Sequence, residues 1–393
     1  MDVAELRGWA WHCQGLDGSL AGCEPAMVLT QAGWARTVGG ANPYSTLWAR
    51  AGTDRATTDA AVAALEVHEL PSVRSCTYLL PAADFALGLQ LSRPSTQSDL
   101  AVVERLGVTQ SEIEQLGHAV VATLAEAGSP LDPGQLKDRL GDQVRSLGEA
   151  GRNKGASTTL PTALGQLQTF GRIRRVPLGG RLDRPRYAYL PWECEPSGLT
   201  DQAARVQLLR HYFGWTGGAT AAQSRWFSSF TVAQTKAAIA EIDLTDIGDG
   251  LLVPTERLDD LRGYQLPEAP EYRLLAGIDA LILLRRNGPQ LLDAQDAARV
   301  LPGSSTGIGA DPDLSDHPIV DRGRIIGLWE FDPDNGDIAA WVFAGEPDTD
   351  LRAEIDRTAA WIADDLGDFR SFSLDSPQSR RPRIAALRAA AAG

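Results

Sequence analysis

Cysteine, histidine, long apolar runs and positive charge are all scarce in this chain of 393 residues, and each shortage closes off a class of function. The four cysteines (Cys13, Cys23, Cys76, Cys194) are too few and too widely spread for a disulfide framework and read as buried thiols. His12, Cys13 and Cys23 stand near one another, but with five histidines in all and no Cys-x-x-Cys or His-x-x-x-His pair, neither a metal nor a cofactor is expected. No apolar run approaches the ~18 residues that cross a bilayer, which argues against a membrane partner. The N-terminus carries Asp2 and Glu5 where a signal peptide would carry positive charge, so a cytoplasmic protein is expected. The stretch from Gly303 to Gly309 lacks the lysine and following helix of a phosphate loop.

Positive charge is short overall, with 37 basic against 51 acidic residues and a net charge of −14, yet it is concentrated. Residues 151–186 hold Arg152, Lys154, Arg172, Arg174, Arg175, Arg181, Arg184 and Arg186 against one acid, Asp183. That local charge of +7 leaves −21 for the rest of the chain. An acidic protein that gathers its cations on one segment is built to hold a polyanion there, which points to nucleic acid.

With 43% hydrophobic and 22% charged residues the chain is globular, and its length suggests two to four packed units at roughly 100–200 residues each. The middle third has the clearest pattern. Ile113, Leu116, Val120, Val121 and Leu124 follow a helical period from Gln110 to Glu126, and Thr109 with Glu112 forms a capping-box signature. A second helix spans Asp132 to Leu140 and a third Ser157 to Phe170, after which Arg172–Val176 and Pro185–Leu190 alternate as strands around a glycine turn. Helix, helix, helix, hairpin is the pattern of a winged helix. The third helix of such a unit enters a DNA groove while the hairpin lies along phosphates. Ser157 and Thr158 at the start of that helix would offer hydroxyl and N–H groups to phosphate.

A second run of three helices begins at Asp201: Ala204–Phe213, Thr220–Phe227, and Thr231–Ile239 capped by Thr231. Its third helix holds only Lys236, so this copy reads as scaffold. Near the N-terminus Thr57–Leu65 is expected as a helix, with His68 and Glu69 at its end, and Val73–Leu80 as a strand. Toward the C-terminus Tyr272–Leu275, Ala280–Leu284, Arg324–Trp329 and Ile338–Phe343 read as strands, Asp350–Leu366 as a helix, and Arg380–Arg383 as a flexible basic tail. The expected fold is therefore α+β: tandem winged-helix units over 1–98, 99–195 and 196–262, then an antiparallel β-barrel or sheet over 263–393.

Several short stretches carry a resemblance. They are Gln14-Gly15-Leu16, Tyr44-Ser45-Thr46-Leu47-Trp48-Ala49-Arg50, Cys76-Thr77-Tyr78, Arg210-His211-Tyr212-Phe213-Gly214, Leu274 to Leu281 with Arg285-Arg286, and Gly323 to Trp329. In order and spacing the chain resembles the winged-helix DNA glycosylases of the AlkZ and YcaQ type, which unhook interstrand crosslinks and excise N7-alkylated purines. The resemblance covers essentially the whole chain. It implies a concave DNA-cradling surface, a hydrolytic glycosylase without metal or redox cofactor, and duplex DNA, alkylated or crosslinked, as partner. A nucleoid-associated monomer is expected.

The chain departs from that family where the chemistry matters. Its members carry a Gln-x-Gln or Gln-x-Asp pair before the Leu-Trp-x-Arg stretch; here the two positions fall on Arg36 and Val38, or on Gly39 and Ala41. Leu79 replaces the family's histidine after the Gly-Thr pair. Hydrolysis of an N-glycosidic bond needs a water held opposite the departing base and electrostatic support for the sugar, work for amides or carboxylates. Asn42 and Glu69 are the candidate substitutes, with His68 and Asp84 as others, and Arg36 is a candidate contact to phosphate or to an extruded nucleotide. Three functions stay open: a glycosylase with a rearranged site, a non-catalytic DNA-binding sensor or regulator, and a protein-interaction module.

Overall fold

In the computed structural model, which describes every residue except Met1, Pro185, Ser315 and Gly393, one order of elements occurs three times. A helix leads to a short strand, two further helices, and two strands that fold back on each other. The first copy is helix Pro25–Ala32, β1 (Ala35–Thr37), helices Asn42–Ala51 and Arg55–Ala63, β2 (Val67–Pro71) and β3 (Thr77–Pro81), with sheet order β1-β3-β2. The second is helix Gln110–Ala127, a bridge from Leu131 to Tyr189, helices Pro133–Leu140 and Leu160–Thr169 with the short helix Gly148–Arg152 inserted between them, and the pair β4 (Ile173–Pro177) and β5 (Tyr187–Pro191). The third is helix Asp201–Thr216, β6 (Ala219–Thr220), helices Ala221–Ser228 and Val232–Ile239, then β7 (Leu244–Asp246) and β8 (Leu251–Pro254), ordered β6-β8-β7.

Local chemistry sets these boundaries. Asp132 with Gln135, Thr220 with Gln223 and Thr231 with Gln234 form reciprocal capping boxes that satisfy otherwise orphaned N–H groups. At Thr109 only half of the box forms, because the carboxylate of Glu112 turns to Arg145 (3.2 Å). The helical stripe Ile113, Leu116, Val120 and Leu124 is buried against Leu136, Leu160, Leu164, Ile173 and Tyr189, so the middle copy has its own core. Ser157 and Thr158 precede their helix rather than opening it: Thr158 bridges to Ser146, and the helix begins at Leu160 with Pro161 in its first turn.

Near the N-terminus, His68 and Glu69 lie within β2, not at a helix end. Val73–Ser75 forms a single turn in which Arg74 (φ 59°) and Ser75 (φ 54°) take the left-handed conformation, so the following strand begins only at Thr77.

The C-terminal part is an open antiparallel sheet, not a closed barrel. Its order is β12 (Asp337–Val342), β11 (Arg324–Asp332), β10 (His317–Asp321), β9 (Tyr272–Leu274). Strand β10 escapes sequence reading because Pro318 interrupts it, and proline demotes an apparent strand. Ala280–Leu283 is a helical turn rather than a strand: Asp279 caps it by accepting from the Leu281 N–H (2.9 Å), and an apolar run of four reads alike in either state. The basic tail is no tail. Arg380–Arg383 lies in helix Pro377–Ala392, and Arg380, 5% exposed, donates to Asp368 and to the Phe369 carbonyl. All four cysteines are free but only partly buried.

One buried ion pair, with Gln14 bonded to it, ties the first and third repeats to the segment after β9. Arg50 donates to both oxygens of Asp279 (2.8 Å each), to the carbonyl and side-chain oxygens of Gln14 (2.9 Å each) and to the Thr46 carbonyl (3.2 Å). The Gln14 amide in turn donates to the carbonyls of Ala32 and Trp215. Both charged side chains are fully buried, and the acid and the arginine satisfy one another through a bidentate fork.

Candidate nucleic-acid interface and catalytic loop

The cationic segment divides into two populations. Arg152, Lys154, Arg172, Arg184 and Arg186 are exposed and have no acidic partner among the described residues; Ser157 is exposed beside them and Thr158 is half-buried. Arg174 is half-buried, and desolvation pushes its pKa down. Arg175 and Arg181 are already neutralised. Arg175 pairs with Glu69 (2.6 Å) and lies over the Tyr187 ring, while Arg181 forks onto Asp183 and donates to the Leu366 carbonyl. The connection between β4 and β5 is consequently a docked strap and not a free flap. Leu182 is 4% exposed within the first repeat's core, and its N–H donates to the Tyr44 hydroxyl. The signal for this lay in Leu182-Asp183, an apolar and an acidic residue set among arginines.

The loop after β1 and the first residue of the helix that it leads into hold the second feature. Asn42, 2% exposed, donates from Nδ2 to the Arg36 carbonyl (2.8 Å), while its Oδ1 has no hydrogen-bond partner. It lines a cavity of about 180 Å³ whose wall also includes Asp313, His317, Arg370 and Ser371. Cavities of about 150 Å³ admit a benzene ring, so this one takes a ring-sized body but not a whole nucleoside. Residues 370–373 cover the loop: Ala41 N–H donates to the Arg370 carbonyl, Ser373 N–H donates to that of Val38, and a side chain at Gly40 would collide with both the Arg370 and Ser371 carbonyls.

His317 and Ser371 resemble a nucleophile–base pair, but the geometry forbids that role. Gly277 N–H donates to His317 Nδ1 (2.9 Å), so the proton sits on Nε2 and is donated to Ser371 Oγ (2.9 Å); that ring cannot take the hydroxyl proton.

Glu69 is absent from this cavity, its carboxylate being committed to Arg175. His68 is buried between Phe85 and Trp192 with neither ring nitrogen bonded, and burial drives its pKa down to about 3. Asp84 accepts from Trp34 (2.8 Å) and stands 3.4 Å from His211, a packing role.

Sequence reasoning missed a third feature at the strained turn after β2. The Arg74 guanidinium lies 3.7 Å from the centre of the Trp226 ring, and Arg286, also left-handed (φ 52°), lies 5.5 Å from it. Arg36, in β1 directly opposite Tyr78, has a buried Nε without a partner, as has Arg74 at Nη1. Backbone strain of this kind persists where surrounding structure over-determines it, typically at functional sites. Nothing in the spacing of residues 74, 226 and 286 announces that they meet.

A family model described as DNA glycosylase AlkZ-like matches residues 25–361. The chain belongs to the AlkZ-like DNA glycosylase family. Among solved structures it is similar to the Streptomyces sahachiroi DNA glycosylase AlkZ, with a TM-score of 0.67 and 19% identity over 95% of this chain and 98% of that one, which establishes the shared fold. No curated protein matches the sequence. The AlkZ-like stretches quoted above turn out to be largely architectural. Gln14, Arg50 and Asp279 form the buried network; Tyr212 donates to the Leu284 carbonyl, Trp329 to that of Leu275, and Gly323 leaves room for the Arg7 backbone. No helix among the described residues is long and apolar enough to cross a membrane.

Proposed function

We propose that this AlkZ-like protein binds duplex DNA and hydrolyses the N-glycosidic bond of alkylated or crosslinked purines, using Asn42 and Asp313 in place of the missing Gln-x-Asp pair. The three repeats are read as winged-helix units with limits near residues 98, 195 and 262, and the exposed set Arg152, Lys154, Arg172, Arg184 and Arg186 as the phosphate-binding face. Arg74, Trp226 and Arg286 supply a second contact, an aromatic ring with cations on it, suited to an unstacked base and its phosphates.

The observation that carries the reading is the orientation of Asn42. Its Nδ2 is committed to the Arg36 carbonyl, its Oδ1 is buried without a partner among the described residues, and the residue lines a cavity that also holds a carboxylate. An amide oxygen accepts a hydrogen bond from water and orients it without taking its proton. The carboxylate of Asp313, held by Arg286 (2.9 Å), adds the negative charge that an oxocarbenium-like sugar requires. The reaction fits a dissociative course in which departure of the cationic, alkylated base leads and the positioned water follows.

A test is release of 7-methylguanine from alkylated duplex DNA. Wild type is expected to excise it, and Asn42→Ala to slow excision roughly 100-fold, the scale for removing one positioned polar group; full activity in that variant would remove Asn42 from the mechanism. A second reading, DNA binding without catalysis, is favoured by Arg36 and Val38 at the pair positions and by the Glu69–Arg175 ion pair; binding without any excision would establish it.

A further inference from the structure

Away from the loop after β1, helix Val3–Cys13, the corner 216–223, the turn between β7 and β8, and segment 285–297 enclose a cleft of about 1050 Å³. That is the size of a small-molecule site. Its walls are mostly apolar, with Leu6, Trp9, Ile247, Leu258 and Leu261 prominent.

Two polar groups in it are incompletely matched among the described residues. Arg285 makes one hydrogen bond, from Nη2 to the Thr216 carbonyl (2.9 Å), and no carboxylate pairs with it among the described residues. The other two arginines of the cleft are both compensated, Arg7 by Asp293 and Arg262 by Asp259. Asn287 is 6% exposed, and its Oδ1 is buried without a hydrogen-bond partner. Arg285 is half-buried on the cleft, and guanidinium stays charged in proteins, so it offers an uncompensated positive charge to an anion that enters.

Segment 285–287 is also pre-positioned. It follows the helical turn capped by Asp279, and Arg286 leaves the cleft for Asp313, so Arg285 and Asn287 stand on the cleft together. Asp246 and Asp249 stand at the same cleft and disfavour a polyanion such as a DNA backbone.

We propose that this cleft binds a small organic acid with an apolar body and an N–H or O–H beside the acid group. The acid pairs with Arg285, the donor bonds Asn287 Oδ1, and the apolar body rests on Leu6, Leu258 and Leu261. A phosphodiester has neither the donor nor the apolar body.

8-Anilinonaphthalene-1-sulfonate has this chemistry, a sulfonate beside an aryl N–H, and N-phenyl-1-naphthylamine is the same body without charge. Calorimetric titration of the full chain is expected to show one saturable site for the sulfonate and binding of the neutral amine about tenfold weaker or more, the scale of one charge-assisted hydrogen bond. Arg285→Met is expected to erase that preference while duplex DNA affinity holds. Leu6→Trp, which puts a larger side chain into the cleft, is expected to weaken both probes. Equal binding of the two probes, undiminished sulfonate binding in either variant, or a fall in DNA affinity on Arg285→Met would overturn the proposal. None of these outcomes depends on the excision assay.

Discussion

His68 shows how one side chain makes stability depend on pH. Its ring is fully buried in β2, edge-on to Phe85 and Trp192, and burial lowers its pKa from 6.5 to about 3. Between those values the unfolded chain binds a proton that the folded chain refuses, so stability is lost as pH falls below 6.5, by about 1.4 kcal/mol per unit from this residue. His68→Phe keeps the ring and removes the proton. Urea melts at pH 6.5 and 5 are expected to show a flatter pH dependence in the variant and higher stability at pH 5; parallel dependences would refute this account. At the same scale, the candidate catalytic residues were unevenly legible. Asn42 could be read as the polar residue next to the positions of the missing pair, whereas Asp313 sits in an irregular segment that only the fold brings to the same cavity.

At the scale of elements, helices with a sustained period and capping residues were readable because their determinants are local. Ala280–Leu283 and the helix over 377–392 were not, since an apolar tetrad and an arginine-proline run have no single local preference and take their state from what they pack against. The hairpin β4–β5 lies between these cases: its strands were visible but the docking of its connection was not. Docking also sorts its arginines by role. Replacing Arg172, Arg184 and Arg186 together with alanine is expected to weaken duplex binding tenfold or more and to flatten the salt dependence by about two to three contacts' worth, with melting unchanged. Arg175→Ala is expected to do the reverse, lowering stability by leaving Glu69 partly buried and unpaired, with little effect on the salt slope. Binding curves over a salt series for both variants decide it, and matched losses of affinity would erase the distinction.

For the molecule as a whole, Arg50–Asp279 is a fully buried tie between the first repeat and the segment after β9. Removing one partner strands a buried charge, so Arg50→Met is expected to lower stability by about 3–5 kcal/mol in denaturant melts. Adding Asp279→Leu to that variant is expected to recover a large part of the loss, because no charge is then left behind. A double variant no better than the single one would show that the tie acts through the Gln14 contacts instead. The markers that place the chain in its family are thus chiefly marks of assembly, which is why the fold was more legible than the chemistry.

A short relay leads from the cationic hairpin to the loop that runs into Asn42. The Asp183 carbonyl accepts from Arg370, and the Arg370 carbonyl accepts from Ala41, one residue before the asparagine. A tug on the hairpin's tip has two outlets: it moves the cavity's rim, or residues 366–373 yield and absorb it.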